Sequence, residues 1–381
     1  MPSRIATLVQ FIYITFNSLS RRAVADRTKA PEIVRHALFL VGLVAIGAAA
    51  GAAASALRMP LAWMIGPLLV SAAIYLLRPQ PAPPRAFRFL GQAIVGSAVG
   101  LYLTPDALQR VLENGWLVIS GALLINVAAC SVGLAQAWLG RLDPATALFS
   151  NVPGGPAEMA ALAEANGGSA PKVAIAQTLR VVLIVLIFPP LLVSASTFPV
   201  QPTGFGSWLD SGILVSAALA AGLLARVLRV PSPFFLGPMT VIGLWTASGA
   251  LVPQHHQGVV PAAQILLGLS LGAMFRRDLF AGNRYFLAGL ALSTLALLAL
   301  CALVAFVLSH LFDVDLPTLL LSTAPGAVPE MVLTAKVLHF DVPLVASVQF
   351  VRIMVGLVAA AALYRLMARP LGRIAARKDD P

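Results

Sequence analysis

The sequence predicts an all-α polytopic membrane protein made of two inverted repeats, each with about five crossing helices plus one broken, re-entrant segment. Three observations carry that prediction. Hydrophobic residues make up 59% of the 381 and charged residues only 11%, and the mean hydropathy is +0.88. A typical soluble domain carries roughly 25% charged residues, so lipid must be the solvent for most of this chain. The other two observations are an internal duplication and a Pro-Gly interruption in one apolar segment of each half.

The duplication rests on four blocks in the same order. LRMPLAWMIGPLL at 57–69 matches LRVPSPFFLGPMT at 228–240, and GQAIVGSAVG at 91–100 matches AQILLGLSLG at 263–272. SNVPGGPAEM at 150–159 matches STAPGAVPEM at 322–331, and PKVAIAQTLR at 171–180 matches PLVASVQFVR at 343–352. After the first block the offset is a constant 172 residues. Spacing this regular marks a repeat.

Each half holds six apolar segments. They are expected at 36–56, 61–77, 87–103, 115–139, 145–165 and 171–195, and again at 208–228, 233–252, 259–275, 284–312, 317–338 and 343–368. Residues 1–35 precede repeat 1 as a cytoplasmic or interfacial extension, because the apolar run at 8–19 is too short to span and lacks a cleavage pattern. Repeat 1 covers 36–195, a Pro- and Gly-bearing linker 196–207, repeat 2 covers 208–368, and a basic cytoplasmic tail 369–381.

Charge chooses the topology. If the Pro-Gly segments dip in and return, each half crosses five times and the second half is inverted. The basic groups Arg21–Lys29, Arg78–Arg88, Arg141, Arg226–Arg229, Arg276–Arg284 and the C-terminus then share the cytoplasmic side. Arg58 and Arg110 depart from the pattern, and a parallel duplication with six crossings per half is the alternative. The net charge of +11 therefore reads as topology, and no soluble segment is long enough for a nucleic-acid-reading domain. Cys130 and Cys301 lie in apolar stretches and the five histidines lack ligand spacing, so no metal centre or cofactor is expected.

The candidate substrate- or ion-binding residues cluster at the two breaks: Ser150, Pro153, Gly154, Gly155 and Glu158 in the first, Ser322, Pro325, Gly326 and Glu330 in the second. Irregular backbone at membrane depth survives only inside protein or beside water, and paired breaks point to a transporter's binding site. Glu158 and Glu330 would bind a cation, carry a proton, pair with a base, or cap the helix that follows. Gln177 with Arg180, and Gln349 with Arg352, share a helical face that must look into the bundle. Each Arg would meet its repeat's Glu, either structurally or around an anionic solute. The pairs Gly66-Pro67 and Gly237-Pro238 read as hinges or packing notches, and Gly96/Gly100 and Gly268/Gly272 as close-contact spacings.

The duplicated PGG and PGA blocks, with their QTLR and QFVR partners and the paired Gly-Pro helices, resemble the bacterial AbrB-type membrane family over about residues 36–370. That resemblance implies a multi-pass protein of the bacterial cytoplasmic membrane, and the charge pattern puts both termini inside. Family members carry regulator and ammonia monooxygenase labels, and the family supplies no binding residues to carry over. The monooxygenase label lacks metal ligands here, so no enzyme is expected. Inverted repeats with Gly-rich breaks also look like glutamate/citrate-type secondary transporters. The leading expectation is a secondary transporter of a small solute, an organic anion among the classes that fit, coupled to Na⁺ or H⁺. The alternative is a membrane regulator acting through a partner. Beyond lipid and solute, a homo-oligomer is compatible with the sequence, and no direct nucleic-acid contact is expected.

Overall fold

A computed structural model describes residues 34–78, 80–139, 142–193, 206–275 and 284–376. The N-terminal extension with its 8–19 run, Arg141, nearly all of the linker, most of the 276–284 basic loop and the last residues of the tail lie outside the described residues. Every regular element described is a helix. Val34–Ala56, Gly115–Trp138, Ala170–Leu192, Trp208–Val227 and the stretch Phe286–Phe312 are long and apolar enough to cross a membrane. The chain is an all-α polytopic membrane protein.

Repeat 1 consists of α1 (Val34–Ala56), α2 (Ala62–Leu77), α3 (Arg85–Gly100), α4 (Pro105–Glu113), α5 (Gly115–Trp138), α6 (Pro144–Asn151), α7 (Pro156–Ala165) and α8 (Ala170–Leu192). Repeat 2 consists of α9 (Trp208–Val227), α10 (Pro233–Ala247), α11 (Val259–Gly272), α12 (Arg284–Phe312), α13 (Leu316–Thr323), α14 (Val328–Val337) and α15 (Val342–Ala376). The six expected segments of each half are all present. Each Pro-Gly segment is resolved into two short helices. The bend of 86° between α3 and α4 lays α4 off the α3 axis, with Thr104 capping its start and Pro105 at its first position.

The helices form two groups. In one, α1–α3 pack with α9–α11, and in the other α5–α8 pack with α12–α15. Glycines decide the first group. Where Gly268 and Gly272 of α11 would carry side chains, the carbonyls of Met64 and Leu68 on α2 already stand. Gly96 and Gly100 of α3 meet the backbone of Phe235 and Met239 on α10 in the same way. These four glycines serve as contact surfaces between repeats, as close backbone approach in lipid requires. They also fix direction. Residue numbers rise together along both pairs, so α2 runs parallel to α11, and α3 parallel to α10.

The Gly-Pro pairs are packing notches. A Cβ on Gly66 would stand 2.5 Å from the Ala50 carbonyl on α1, and one on Gly237 would stand 2.6 Å from Ala221 on α9. A side chain at any of these sites must push two helices apart, an overpacking cost of about 1–3 kcal/mol. Gly268→Ala and Gly96→Ala should therefore lower the melting temperature in detergent by several degrees. Gly212→Ala, whose Cβ would meet nothing within 4 Å, should leave it unchanged or raise it.

Candidate functional site

Each broken segment is a hairpin that returns to its own starting end. α6 and α13 are 8 residues long. That is about 12 Å of helix, far short of the ~30 Å hydrocarbon core. Asp143 caps α6 by accepting the Thr146 amide at 2.7 Å, and Asp315 caps α13 by accepting the Thr318 amide at 2.9 Å. The hydroxyl of Thr146 then accepts the amide of Ser169, beyond the end of α7, at 2.7 Å. Thr318 accepts the amide of Asp341, beyond the end of α14, at 3.3 Å. The start of each hairpin is thus clasped to its end. The matched DPAT and DLPT sequences held that signal, and the sequence reading missed it.

At the tip, the broken backbone needs partners. A helix end leaves four carbonyls unsatisfied, and lipid offers them no donors. Arg180 and Gln177 of α8 supply donors to the first tip. Arg180 donates to the Asn151 carbonyl at 2.6 Å and the Ser150 carbonyl at 3.3 Å, and to the Gln177 side-chain oxygen. Gln177 donates to the carbonyls of Phe149 at 2.8 Å and Val152 at 3.0 Å. On the second tip, Arg352 donates to Ala324 and, at 2.8 Å, to Gly326, while Gln349 donates to Leu321 at 2.7 Å and Ala324 at 3.2 Å. Cationic donors suit helix C-termini, whose dipoles are negative there. Arg180 is 4% exposed and Arg352 1%.

The expected Glu–Arg pairing takes a different form. Among the described residues neither guanidinium has a carboxylate within ion-pairing distance, and the carbonyls of the breaks take that place. The Nε atoms of both arginines, the Ser150 hydroxyl, the Gln349 side-chain oxygen and Oε2 of Glu330 are buried without a hydrogen-bond partner. Ser322 turns its hydroxyl back to the Thr318 carbonyl at 2.8 Å. The two glutamates differ. Glu330, on the first turn of α14, is 2% exposed and within reach of the Arg88 charge on α3. Glu158 is exposed, with its carboxylate folded over Gly155 at the N-terminus of α7.

The breaks approach each other across α15. The Pro153 carbonyl occupies the space a side chain on Gly356 would need, one turn beyond Arg352. The two guanidiniums are close enough to repel, and Cys301 lies within the field of both. Asn126 of α5 donates to the Arg352 carbonyl at 3.1 Å, tying this centre to the crossing helices. Gly154 and Gly326 each lie against the methionine that follows, Met159 or Met331, and Pro325 is buried at the second tip. Sequence reasoning had no handle on Asn126 or Gly356, which match no partner in the other repeat.

A second polar cluster lies at the far end of α3. His255, in the α10–α11 loop, is buried and hydrogen-bonded to Ser97 at 2.9 Å, with the Lys336 ammonium nearby over the Tyr102 ring, 5.3 Å from its centroid. Burial, with the Lys336 charge adding to it, pushes His255 down to about 4 from the ordinary 6.5. The folded chain refuses a proton that the unfolded one accepts. Its stabilisation is therefore complete above pH 6.5 and is lost as pH falls toward 4.

The family model described as "Transition state regulatory protein AbrB" matches residues 63–368. The chain is 29% identical over 354 residues to the protein of Bacillus subtilis (strain 168) named "Uncharacterized protein YhjN", covering 85% of this chain and 92% of that one. It is 26% identical over 320 residues to the Escherichia coli (strain K12) protein named "Putative regulator AbrB", covering 82% and 92%.

Two variants test the site as built. Arg352→Lys keeps the charge but gives up the planar fork, so it should destabilise the protein in detergent by about 2 kcal/mol or more. Glu330→Gln should not, and equal losses would refute the carbonyl clamp. His255→Asn should flatten the fall in melting temperature between pH 6.5 and 4, read beside the parent under the same buffers.

Proposed function

We propose that this chain, which belongs to the AbrB family, is a secondary transporter that binds a small solute where its two hairpin tips meet. The observation that carries the reading is the convergence of two matched breaks on one stretch of α15, from Arg352 to Gly356. A structural protein gains nothing from two interrupted helices at its centre, and each interruption needs a buried arginine to hold it. Transporters use such breaks to offer backbone amides and carbonyls to a solute and its coupling ion.

The inverted arrangement has independent support. α2 and α3 follow one another through a short connection, so two crossings give them opposite directions. α10, the repeat partner of α2, runs parallel to α3, and α11, the partner of α3, runs parallel to α2. Those directions suit a two-fold axis in the membrane plane and oppose a parallel duplication. With re-entrant hairpins, five crossings per half put both termini, the 78–84 loop and the α6–α7 hairpin on the cytoplasmic side of the inner membrane. The α13–α14 hairpin and the His255 loop then face outward.

The arginines hold the tips, which leaves Glu158 and Glu330 as the groups free to take the coupling ion, Na⁺ or H⁺. The amide-bearing starts of α7 and α14 suit an anionic solute. The family description and one relative's name favour a second reading, a membrane regulator acting through a partner without contacting nucleic acid itself.

Uptake decides between them. Proteoliposomes should accumulate at least one member of a panel of radiolabelled small mono- and dicarboxylates under an imposed proton or Na⁺ gradient. Glu158→Gln and Glu330→Gln should each abolish gradient-driven uptake while the protein stays folded in the membrane. No uptake of any panel member under either gradient, with a changed expression profile on gene deletion, would favour the regulator. For topology, Gln257→Cys should react with an impermeant maleimide from outside intact cells and Arg85→Cys should not; the reverse would end the inverted assignment.

A further inference from the structure

Two repeats with the same motif and the same clasp ought to be packed alike, and they are not. Every residue of α14 from Val328 to Ala335 is buried, whereas at the matched positions of α7 Met159 and Ala163 are buried but Glu158 and Ala161 are exposed. Leu333 is 0% exposed and its counterpart Ala161 is exposed; Glu330 is buried and its counterpart Glu158 is exposed. The difference extends to whole elements. α14 packs against α3, but α7 has no comparable packing on α11, the repeat partner of α3. α15 lies along α5, but α8 meets α12, the repeat partner of α5, only marginally.

Composition does not explain this. α7 (PAEMAALAEA) exposes Glu158, Ala161, Glu164 and Ala165, and α14 carries charged residues at the two matching positions, Glu330 and Lys336, yet buries the stretch between them. The clamps and clasps of the two hairpins are intact in both, so neither hairpin is broken or unfolded. What differs is the position of each hairpin-and-helix unit relative to the other helices. The second unit is closed, with Lys336 over Tyr102 at its outer end and Glu330 facing α3. The first unit is open.

We propose that the protein has a second state in which α7 and α8 take up against α11 and α12 the packing that α14 and α15 now have against α3 and α5, while the second unit opens. Glu158 is then buried and Glu330 exposed. The 172-residue offset names the contacts. Lys336 over Tyr102 at the closed end corresponds to Glu164 beside Met274 at the end now open. The structure is thus the cytoplasm-open member of a pair, and the same sequence symmetry that built it specifies the other. An exchange of this kind swaps two matched sets of positions, with different side chains in each set, so the two states are two basins of one equilibrium.

This inference rests on the transporter reading, and it is tested without a substrate. The full-length chain with Cys130→Ala and Cys301→Ala, both buried cysteines, serves as background. Tyr102→Cys with Lys336→Cys forms one cross-linkable pair, and Glu164→Cys with Met274→Cys the other. In membranes treated with a short bismaleimide, both pairs should cross-link, and in a chain carrying all four cysteines one cross-link should exclude the other. In the background locked at 164–274 with a non-thiol photo-cross-linker, labelling of Leu333→Cys should rise at least tenfold, and labelling of Ala161→Cys should fall as much. A 164–274 pair that never links, or that links in molecules already joined at 102–336, overturns the second state. Exclusive cross-links without uptake of any solute would leave the two states standing and remove transport. Uptake without exclusive cross-links would do the opposite.

Discussion

Everything at the centre of this protein depends on satisfying the carbonyls of two interrupted helices away from water. Each interruption strips a helix end of its intrahelical partners, and lipid supplies no substitutes. The chain answers with a Gln and an Arg spaced three residues apart on the following helix, so that both project to the same tip. Charge-assisted donation to several carbonyls makes the arginines structural cations, with no carboxylate partner among the described residues. Two such cations near one another are tolerable because backbone carbonyls take up their donors and those of the neighbouring glutamines, four at the first tip and three at the second. The same arrangement leaves Glu158 and Glu330 outside the clamps.

The remainder of the molecule positions those tips. Asp143 and Asp315 start the hairpins, and Thr146 and Thr318 close them, so each tip's depth is set by eight residues of helix. Away from the tips, α2, α3, α10 and α11 come together through glycines whose missing side chains admit backbone carbonyls of the other repeat. Such contacts are short and unforgiving, which makes this group the natural fixed body. The second hairpin touches it through α3 and α14, and the first has no comparable contact with α11.

Much of this was legible beforehand. The apolar segments, the duplication and the identity of the break residues follow from composition, offset and Pro-Gly chemistry, and the helices fall where those signals put them. The Arg and Gln positions were also legible, because polar groups spaced three apart in an apolar helix must share an inward face. Their partners were not. A guanidinium in a sequence looks for an acid, and only folding shows that bare carbonyls stand nearer. Asn126 and Gly356 gave no warning, because neither belongs to a repeated block.

The sequence by itself determined the membrane class, the two halves and the places where helices break, since each is a local consequence of hydropathy, periodicity or a missing amide hydrogen. Tertiary structure decided which groups the arginines serve, that each break folds back on a threonine clasp, and that Glu330 is sealed while Glu158 is open. The physical reason is that equivalent sequence blocks share their local forces but not their neighbours. Packing against α3 or α11 is a property of the whole arrangement, and in this structure the second hairpin has it and the first does not.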